Sequence, residues 1–199
     1  MSKKCYRFFG GLLNAQAKWL NKMSEKGYRL VRTGRVLYEF EECSPDEVSY
    51  CVEFIGEKSK ENATDYADFL EDMGYKVFFK NINLNDSVGK VRWRPWAERG
   101  GRIATNTTTF NREILIAEKT NDGKPFELHT SYDDKEKYYR NLRNPWLSLL
   151  LLFALFAVTM QSKIYGIFAL VSVIPGSIYQ IQIMKIRKEA RTQEWRGNK

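Results

Sequence analysis

Residues 145–162 read PWLSLLLLFALFAVTMQS and residues 164–184 read IYGIFALVSVIPGSIYQIQIM, with Lys163 alone between them. Neither stretch contains a charged residue. A helix of about 20 apolar residues crosses the hydrocarbon layer of a bilayer, which is roughly 30 Å thick. Pro175 and Gly176 inside the second stretch predict a kink and not a break. The two stretches therefore predict a transmembrane hairpin at residues 144–184, with spans at about 145–162 and 164–184.

Basic residues flank the outer ends of this hairpin. Two precede the first span and four follow the second: Arg140, Arg143, Lys185, Arg187, Lys188 and Arg191. Because basic flanks stay on the cytosolic side, we expect a two-span protein of the cell membrane with its N- and C-termini in the cytosol. The chain then divides into a cytosolic domain at 1–143, the hairpin at 144–184 and a basic cytosolic tail at 185–199.

The distribution of charge bears on the partners of the chain. The formal net charge is +8, with 32 lysine and arginine residues against 24 acidic residues. Bases and acids interleave through the N-terminal domain, whereas bases crowd behind the last apolar stretch. This distribution fits the surface of an anionic bilayer and lacks the basic face that binds nucleic acid. We therefore predict the lipid bilayer as a partner, and no nucleic acid.

Residues that typically build metal or catalytic sites are few. Cys5, Cys43 and Cys51 form no CxxC pair and fall in predicted strands, so we expect reduced, buried thiols. The single histidine, His129, has no neighbouring cysteine or histidine with which to hold zinc. No serine-histidine-aspartate or cysteine-histidine pattern is recognisable. The sequence predicts no cofactor, no metal and no enzymatic activity.

The N-terminal domain reads as a mixed α+β domain. An apolar stripe from Leu12 to Met23 predicts a helix that ends before Gly27, and Ser59 predicts the start of a second helix that ends before Gly74. Alternating or β-branched segments predict strands, the second to fourth of which form a meander: 5–9, 28–31, 36–40, 48–54, 75–79 and 113–117. A polar helix at 132–142 leads into the bilayer.

The two helix exits resemble each other, since Gly27-Tyr28-Arg29-Leu30 matches Gly74-Tyr75-Lys76-Val77. Each half then reads β-α-β, which predicts an internal duplication and a ferredoxin-like α/β sandwich, an antiparallel sheet with two helices. The alternative is that the two exits look alike only because glycine followed by an aromatic residue suits the C-terminal end of both helices.

Three motifs carry a resemblance to a known family. They are WLNKM at 19–23 with Gly27, YEFEECSPDE at 38–47 with Tyr50, and GKPFEL at 123–128. With them the chain resembles bacterial membrane-associated proteins that carry domain of unknown function 2812, over most of residues 4–143. The resemblance implies C-terminal spans, a mainly Gram-positive source and genes that neighbour regulators similar to the PadR type. It implies no reaction and no binding residues, and this chain has a longer insertion between about Asn81 and Arg112.

The insertion contains the most unusual residues of the chain, KVRWRPW at 90–96 and RGGR at 99–102. The alternating pattern favours contact with a small anionic ligand through guanidinium groups and stacking, or with lipid headgroups through the indoles. The third interpretation is that the tryptophans pack the sheet while the arginines stay solvated. The candidate residues are Arg92, Trp93, Arg94, Trp96, Arg99 and Arg102. The acidic segment around Glu39 and Asp46 is interpreted as a solvated face and not as a site for a divalent ion.

Three functional hypotheses follow. The first is a non-enzymatic, membrane-tethered sensory or protein-interaction module at the inner leaflet, linked through its family resemblance to a transcriptional regulator. The second is an accessory subunit of a membrane complex or transporter, in which a partner protein or a second copy contacts the spans. The third is an enzyme that acts on lipid or an anionic metabolite at the tryptophan and arginine residues of the insertion.

Overall fold

The computed structural model describes residues 2–88, 90–98, 101–104, 109–128 and 131–197. Arg99 and His129 lie outside the described residues. The chain divides into two compact units, Met1–His129 and Thr130–Lys199. The first is a mixed α+β unit with small antiparallel sheets, and the second is an apolar two-helix hairpin.

The first unit contains nine strands and two helices among its described residues. In chain order they are β1 (Lys3–Tyr6), α1 (Leu13–Ser24), β2 (Tyr28–Thr33), β3 (Leu37–Glu42), β4 (Val48–Phe54), α2 (Lys60–Asp72), β5 (Lys76–Lys80), β6 (Asp86–Val88), β7 (Val91–Trp93), β8 (Ile103–Ala104) and β9 (Ile114–Thr120). They form three three-stranded antiparallel sheets, with strand orders β1-β3-β2, β4-β9-β5 and β6-β7-β8.

The first two sheets share one topology. In the first, α1 connects β1 to β2, and β3 lies between these strands, antiparallel to both. In the second, α2 connects β4 to β5, and β9 lies between them in the same way. Each half is thus a split β-α-β motif. The resemblance of the two helix exits extends to the whole of both halves.

The structure replaces the predicted single sheet with two sheets, and the predicted meander stops after β3. A strand has two edges, and those of β3 are occupied by β1 and β2. The strand β4 therefore cannot hydrogen-bond to β3. It pairs instead with β9 over seven residues, Val48–Phe54 against Ile114–Thr120.

The ends of both helices follow the local sequence. The backbone of Gly27 has φ +76° and that of Gly74 has φ +85°, the left-handed conformation that ends a helix at glycine. A Cβ atom on Gly27 would lie 2.8 Å from the carbonyl oxygen of Cys43. Ser59 accepts a hydrogen bond from the amide of Asn62 (3.1 Å), which confirms it as the N-cap of α2.

Some boundaries differ from the prediction. The strand β1 ends at Tyr6 and does not reach Phe9. The ring of Phe9 packs against Trp19, with ring centroids 5.5 Å apart. The three cysteines lie in the described part of the chain as half-buried thiols and not as fully buried ones. Cys43 follows the end of β3.

Polar contacts join the two halves of the first unit. The hydroxyl of Tyr50 accepts a hydrogen bond from the amide of Leu30 and donates one to Glu118, both at 2.7 Å. The guanidinium of Arg29 donates to the same carboxylate at 2.7 Å. Glu118 is 2% exposed, and burial raises the pKa of Tyr50. The network thus links β2 to β4 and β9 around the buried carboxylate of Glu118.

The second unit contains α3 (Tyr132–Thr159) and α4 (Lys163–Gly197), joined by residues 160–162. The two helices contact each other through ring pairs such as Phe153 with Phe168 and Phe156 with Tyr165, each 5.5 Å apart. Pro145 and Pro175 lie inside helices that continue past them. By length and composition alone, both helices are able to cross a membrane.

Candidate functional site

The insertion forms the third sheet, whose two faces differ in chemistry. Along β7, Val91 and Trp93 lie on one face and Arg92 on the other, because side chains alternate along a strand. Trp93 is 51% exposed, whereas Arg92 is half-buried. Arg102 is exposed and immediately precedes β8. Arg92, Trp93 and Arg102 are therefore the members of the predicted set that are accessible for contact.

Arg94 and Trp96 lie in the interior, at 3% and 1% exposure. The guanidinium of Arg94 donates to the carbonyl of Gly101 at 2.9 Å and lies 5.4 Å from the ring of Trp96. The indole of Trp96 packs edge-on against Phe54, with centroids 5.2 Å apart. Trp96 thus attaches the insertion to β4 through Phe54, as the packing interpretation expects for the tryptophan, whereas these contacts of Arg94 lie within the insertion.

A cleft of about 310 Å³ opens beside the inner face of the third sheet. Its walls come from α2, the end of β5, β7 and the segment that precedes β9. The described lining residues are Lys60, Ala63, Thr64, Phe79, Arg92, Thr109, Phe110, Asn111 and Arg112. Three of them are cations and none is a carboxylate, a histidine or a cysteine. The cleft is thus suited to an anion.

Aromatic rings hold two of the cations in place. The guanidinium of Arg112 lies 3.7 Å from the ring centroid of Phe79, and that of Arg92 lies 5.7 Å from that of Phe110. Such cation–π contacts fix the position of the charge without neutralising it. Lys60 is the first residue of α2, where the unpaired amides and the helix dipole also favour negative charge.

A buried carboxylate braces the wall that carries Arg112. Glu113 is fully buried, and its oxygens accept hydrogen bonds from the amides of Ile82 (3.1 Å) and Asn111 (2.6 Å) and from the side chain of Asn85 (2.5 Å). Burial raises the pKa of Glu113. The side chains of Asn81 and Asn111 are also hydrogen-bonded to each other. This brace fixes the segment that presents Arg112 to the cleft.

Sequence reasoning found Arg92 but missed the other two cations. Lys60 follows the recognisable N-cap Ser59, and a helix N-terminus is a signal for an anion site. Helix N-termini are common, however, and the sequence does not show what surrounds this one. Arg112 meets Phe79 because β9 pairs with β5, and no local pattern predicts that pairing. In the described part of the chain, no group of three or more histidine, cysteine or acidic residues is placed to hold a metal ion.

A comparison with known protein families shows to which family the chain belongs. A family model described as "Protein of unknown function (DUF2812)" matches residues 13–151. The chain belongs to the DUF2812 family. The DUF2812 match runs from α1 into the first apolar part of α3, so it includes every described residue of the cleft and both split halves except β1. No curated protein and no solved structure matches the chain.

Proposed function

We propose that this DUF2812 protein is a membrane-tethered sensory module that binds a small anionic ligand in the cleft of its first unit. The observation that carries the proposal is the convergence of Lys60, Arg92 and Arg112 on a cleft whose described lining contains no acid. Cations gathered in one concavity attract an anion.

The shape of the cleft narrows the ligand class. Its volume of about 310 Å³ lies at the lower end of the range for small-molecule sites. A guanidinium group can donate two parallel hydrogen bonds to the oxygens of one phosphate or carboxylate. Phe79 and Phe110 provide apolar surface in the same cleft. The ligand we propose is a small phosphate or carboxylate compound that also carries a flat apolar group. The described lining contains no carboxylate, histidine or cysteine to act as a general base, which supports binding without chemistry.

The second unit supplies the tether. Of the most apolar 18 residues of α3, 6% are buried, which is unlike a core helix of a soluble protein. Several apolar side chains of the two helices are each more than half exposed: Leu151, Leu155, Val158 and Leu170. Such an apolar surface is more stable in hydrocarbon than in water. The basic residues at both outer ends support cytosolic termini in the cell membrane.

For the first unit we propose the finer architecture of two ferredoxin-like halves that arose by duplication. Their common strand order, with the last strand of each half inserted between the strands that the helix connects, supports this origin. The insertion that builds the cleft lies between β5 and β9 in sequence, within the second half.

Titration calorimetry on the full chain in nanodiscs tests the proposal, with inorganic phosphate and phenyl phosphate as probes. Phenyl phosphate should bind, and should bind more tightly than inorganic phosphate because its ring can contact Phe79 and Phe110. The variant Arg112→Gln should weaken binding about tenfold or more, since it removes a charged hydrogen-bond donor. The matched control is Arg32→Gln, which removes the same charge at an exposed position in β2. Absence of binding, or equal loss in both variants, would refute the proposal.

An accessory subunit of a membrane complex is the second candidate. It is favoured by the same exposed apolar surface of α3, which can bury against another membrane protein or a second copy instead of lipid. Exchange of residues 144–184 for an unrelated two-span hairpin separates the two candidates. Function that survives the exchange supports the sensor, and function lost despite normal insertion supports the subunit.

A further inference from the structure

The outer face of the third sheet is exposed and, apart from Asp86, its described side chains are apolar. Backbone register places Val88 opposite Val91 and Trp93 opposite Ile103, so these four side chains lie on one face. They are 83%, 44%, 51% and 68% exposed, respectively. We propose that this four-residue apolar face inserts into the headgroup layer of an anionic lipid surface, with Trp93 as its anchor.

The size of the face favours lipid over protein. A stable protein–protein interface buries about 800 Å² on each partner and involves roughly 20–30 residues of each. Four side chains on strands of two or three residues are too few for that. Insertion into a bilayer interface needs only a small apolar projection, and tryptophan prefers the headgroup layer because its indole has both an apolar body and a polar N–H.

The charges at the rim of the face complement an anionic surface. Lys90 and Arg102 are exposed and form no ion pair with a described residue. Asp86 lies opposite Trp93 and is the one acid on β6, and the guanidinium of Arg35 lies 3.6 Å from its carboxylate. The exposed cations Lys90 and Arg102 therefore attract anionic headgroups, and the carboxylate on this face is paired with Arg35.

The proposal is independent of ligand binding in the cleft. Arg92 and Ala104 form a pair on the opposite face of the sheet, and of these Arg92 lines the cleft. One small sheet thus presents one surface to the cleft and another to solvent, and each can be altered without the other.

Fluorine NMR of the full chain tests the proposal. The protein is labelled with 5-fluorotryptophan and reconstituted in nanodiscs that contain phosphatidylglycerol or phosphatidylcholine alone, each doped with a headgroup nitroxide lipid. The variant Trp93→Phe assigns the Trp93 resonance. In anionic discs the Trp93 resonance should broaden strongly, and more than that of buried Trp96, which lies farther from the proposed lipid contact. In phosphatidylcholine discs the broadening of Trp93 should fall severalfold.

Two results would overturn the proposal. One is a Trp93 resonance that stays sharp in anionic discs, which would leave the face in water or on another protein. The other is equal broadening in both lipids, which would remove the role of charge. The variant Lys90→Gln/Arg102→Gln should reduce the broadening in anionic discs, and Arg32→Gln, with one exposed charge removed from β2, should leave it unchanged.

Discussion

The side chain of Asn21 forms both hydrogen bonds that a neighbouring strand would form with Tyr50. Its Nδ2 donates to the carbonyl oxygen of Tyr50 at 3.0 Å, and its Oδ1 accepts from the amide of Tyr50 at 2.7 Å. Ser24, one turn further along α1, bonds in the same way to the carbonyl of Val48 at 2.6 Å and accepts from its amide at 3.3 Å. The helix of the first half therefore protects the free edge of β4, which would otherwise pair with another chain.

Replacement of Asn21 by alanine should lower the free energy of unfolding by about 1–3 kcal/mol, because it leaves the amide and the carbonyl of Tyr50 without partners in a partly buried place. Chemical denaturation of the full chain in detergent, followed by tryptophan fluorescence, measures the change. The control is Asn14→Ala, at an exposed position of the same helix, which should change stability little. Equal effects of the two variants would show that the contact with β4 contributes nothing.

Lys80 should make the stability of the first unit depend on pH in the alkaline range. Its ammonium donates to the carbonyls of Gly34 (2.7 Å) and Arg35 (2.5 Å), and burial lowers the pKa of Lys80 to about 8 from an ordinary value of 10.5. Between these values the unfolded chain binds more protons than the folded one, so stability rises with pH from about 8 to 10.5 and is constant below 8.

The variant Lys80→Met isolates this effect. The difference in unfolding free energy between wild type and Lys80→Met should shift in favour of the wild type as pH rises from 8 to 10.5. Lys26→Met, at an exposed position, should give a difference that does not change over this range. A flat difference for Lys80→Met as well would mean that the ammonium is fully hydrated in the folded state.

Glu136 and Arg187 should stabilise the packing of α3 against α4. The guanidinium of Arg187 donates Nε to Oε2 at 2.9 Å and Nη2 to Oε1 at 2.7 Å, and Arg140 donates to the same carboxylate. The hydrogen bonds from Arg187 contribute most to lowering the pKa of Glu136 to about 2. The stabilisation is therefore complete above the ordinary glutamate pKa of about 4.5 and is lost as pH falls through about 2.

Thermal melts of Glu136→Gln in detergent test this pair. The variant should melt below the wild type at pH 7, and the gap should narrow as pH falls from 4.5 toward 2. Glu189→Gln, at an exposed position of α4, should melt with the wild type. A gap that stays constant with pH would exclude the ion pair as its cause.

The connection between α3 and α4 should face outward if both termini are cytosolic. A cysteine at Ser162 should react with a membrane-impermeant maleimide in intact cells, whereas a cysteine at Glu189 should react only after permeabilisation. Both are introduced after Cys5, Cys43 and Cys51 have been replaced by serine, so that the label reports one position. If the cysteine at Glu189 reacts in intact cells and the one at Ser162 only after permeabilisation, the orientation is the opposite of the one predicted.

Short-range features of this chain could be read from sequence, and long-range ones could not. Ser59, Gly27 and Gly74 act on backbone within a few residues, so their local patterns predicted the helix ends. The apolar stretches on either side of Lys163 predicted two long helices for a similar reason. By contrast, β9 inserts between β4 and β5 after more than 30 residues of intervening chain, and no local signal distinguishes that pairing from a single continuous sheet.

The candidate site shows the same division. Alternation along β7 explains why Arg92 and Trp93 lie on opposite faces. The strand ends at Trp93, so alternation does not predict the burial of Arg94 and Trp96, which contact Gly101 and Phe54. The cleft combines cations from three segments that are distant in sequence, Lys60, Arg92 and Arg112. Their convergence depends on sheet pairing, and a single sequence does not reveal it.

Alkaline carbonate extraction tests the tether most directly, because every role proposed for this protein requires residues 144–184 to lie in hydrocarbon. Membranes from cells that express the full chain are washed with carbonate at high pH and sedimented. We predict that the protein remains in the pellet and is released only by detergent. Recovery of the intact chain in the carbonate supernatant would contradict the account.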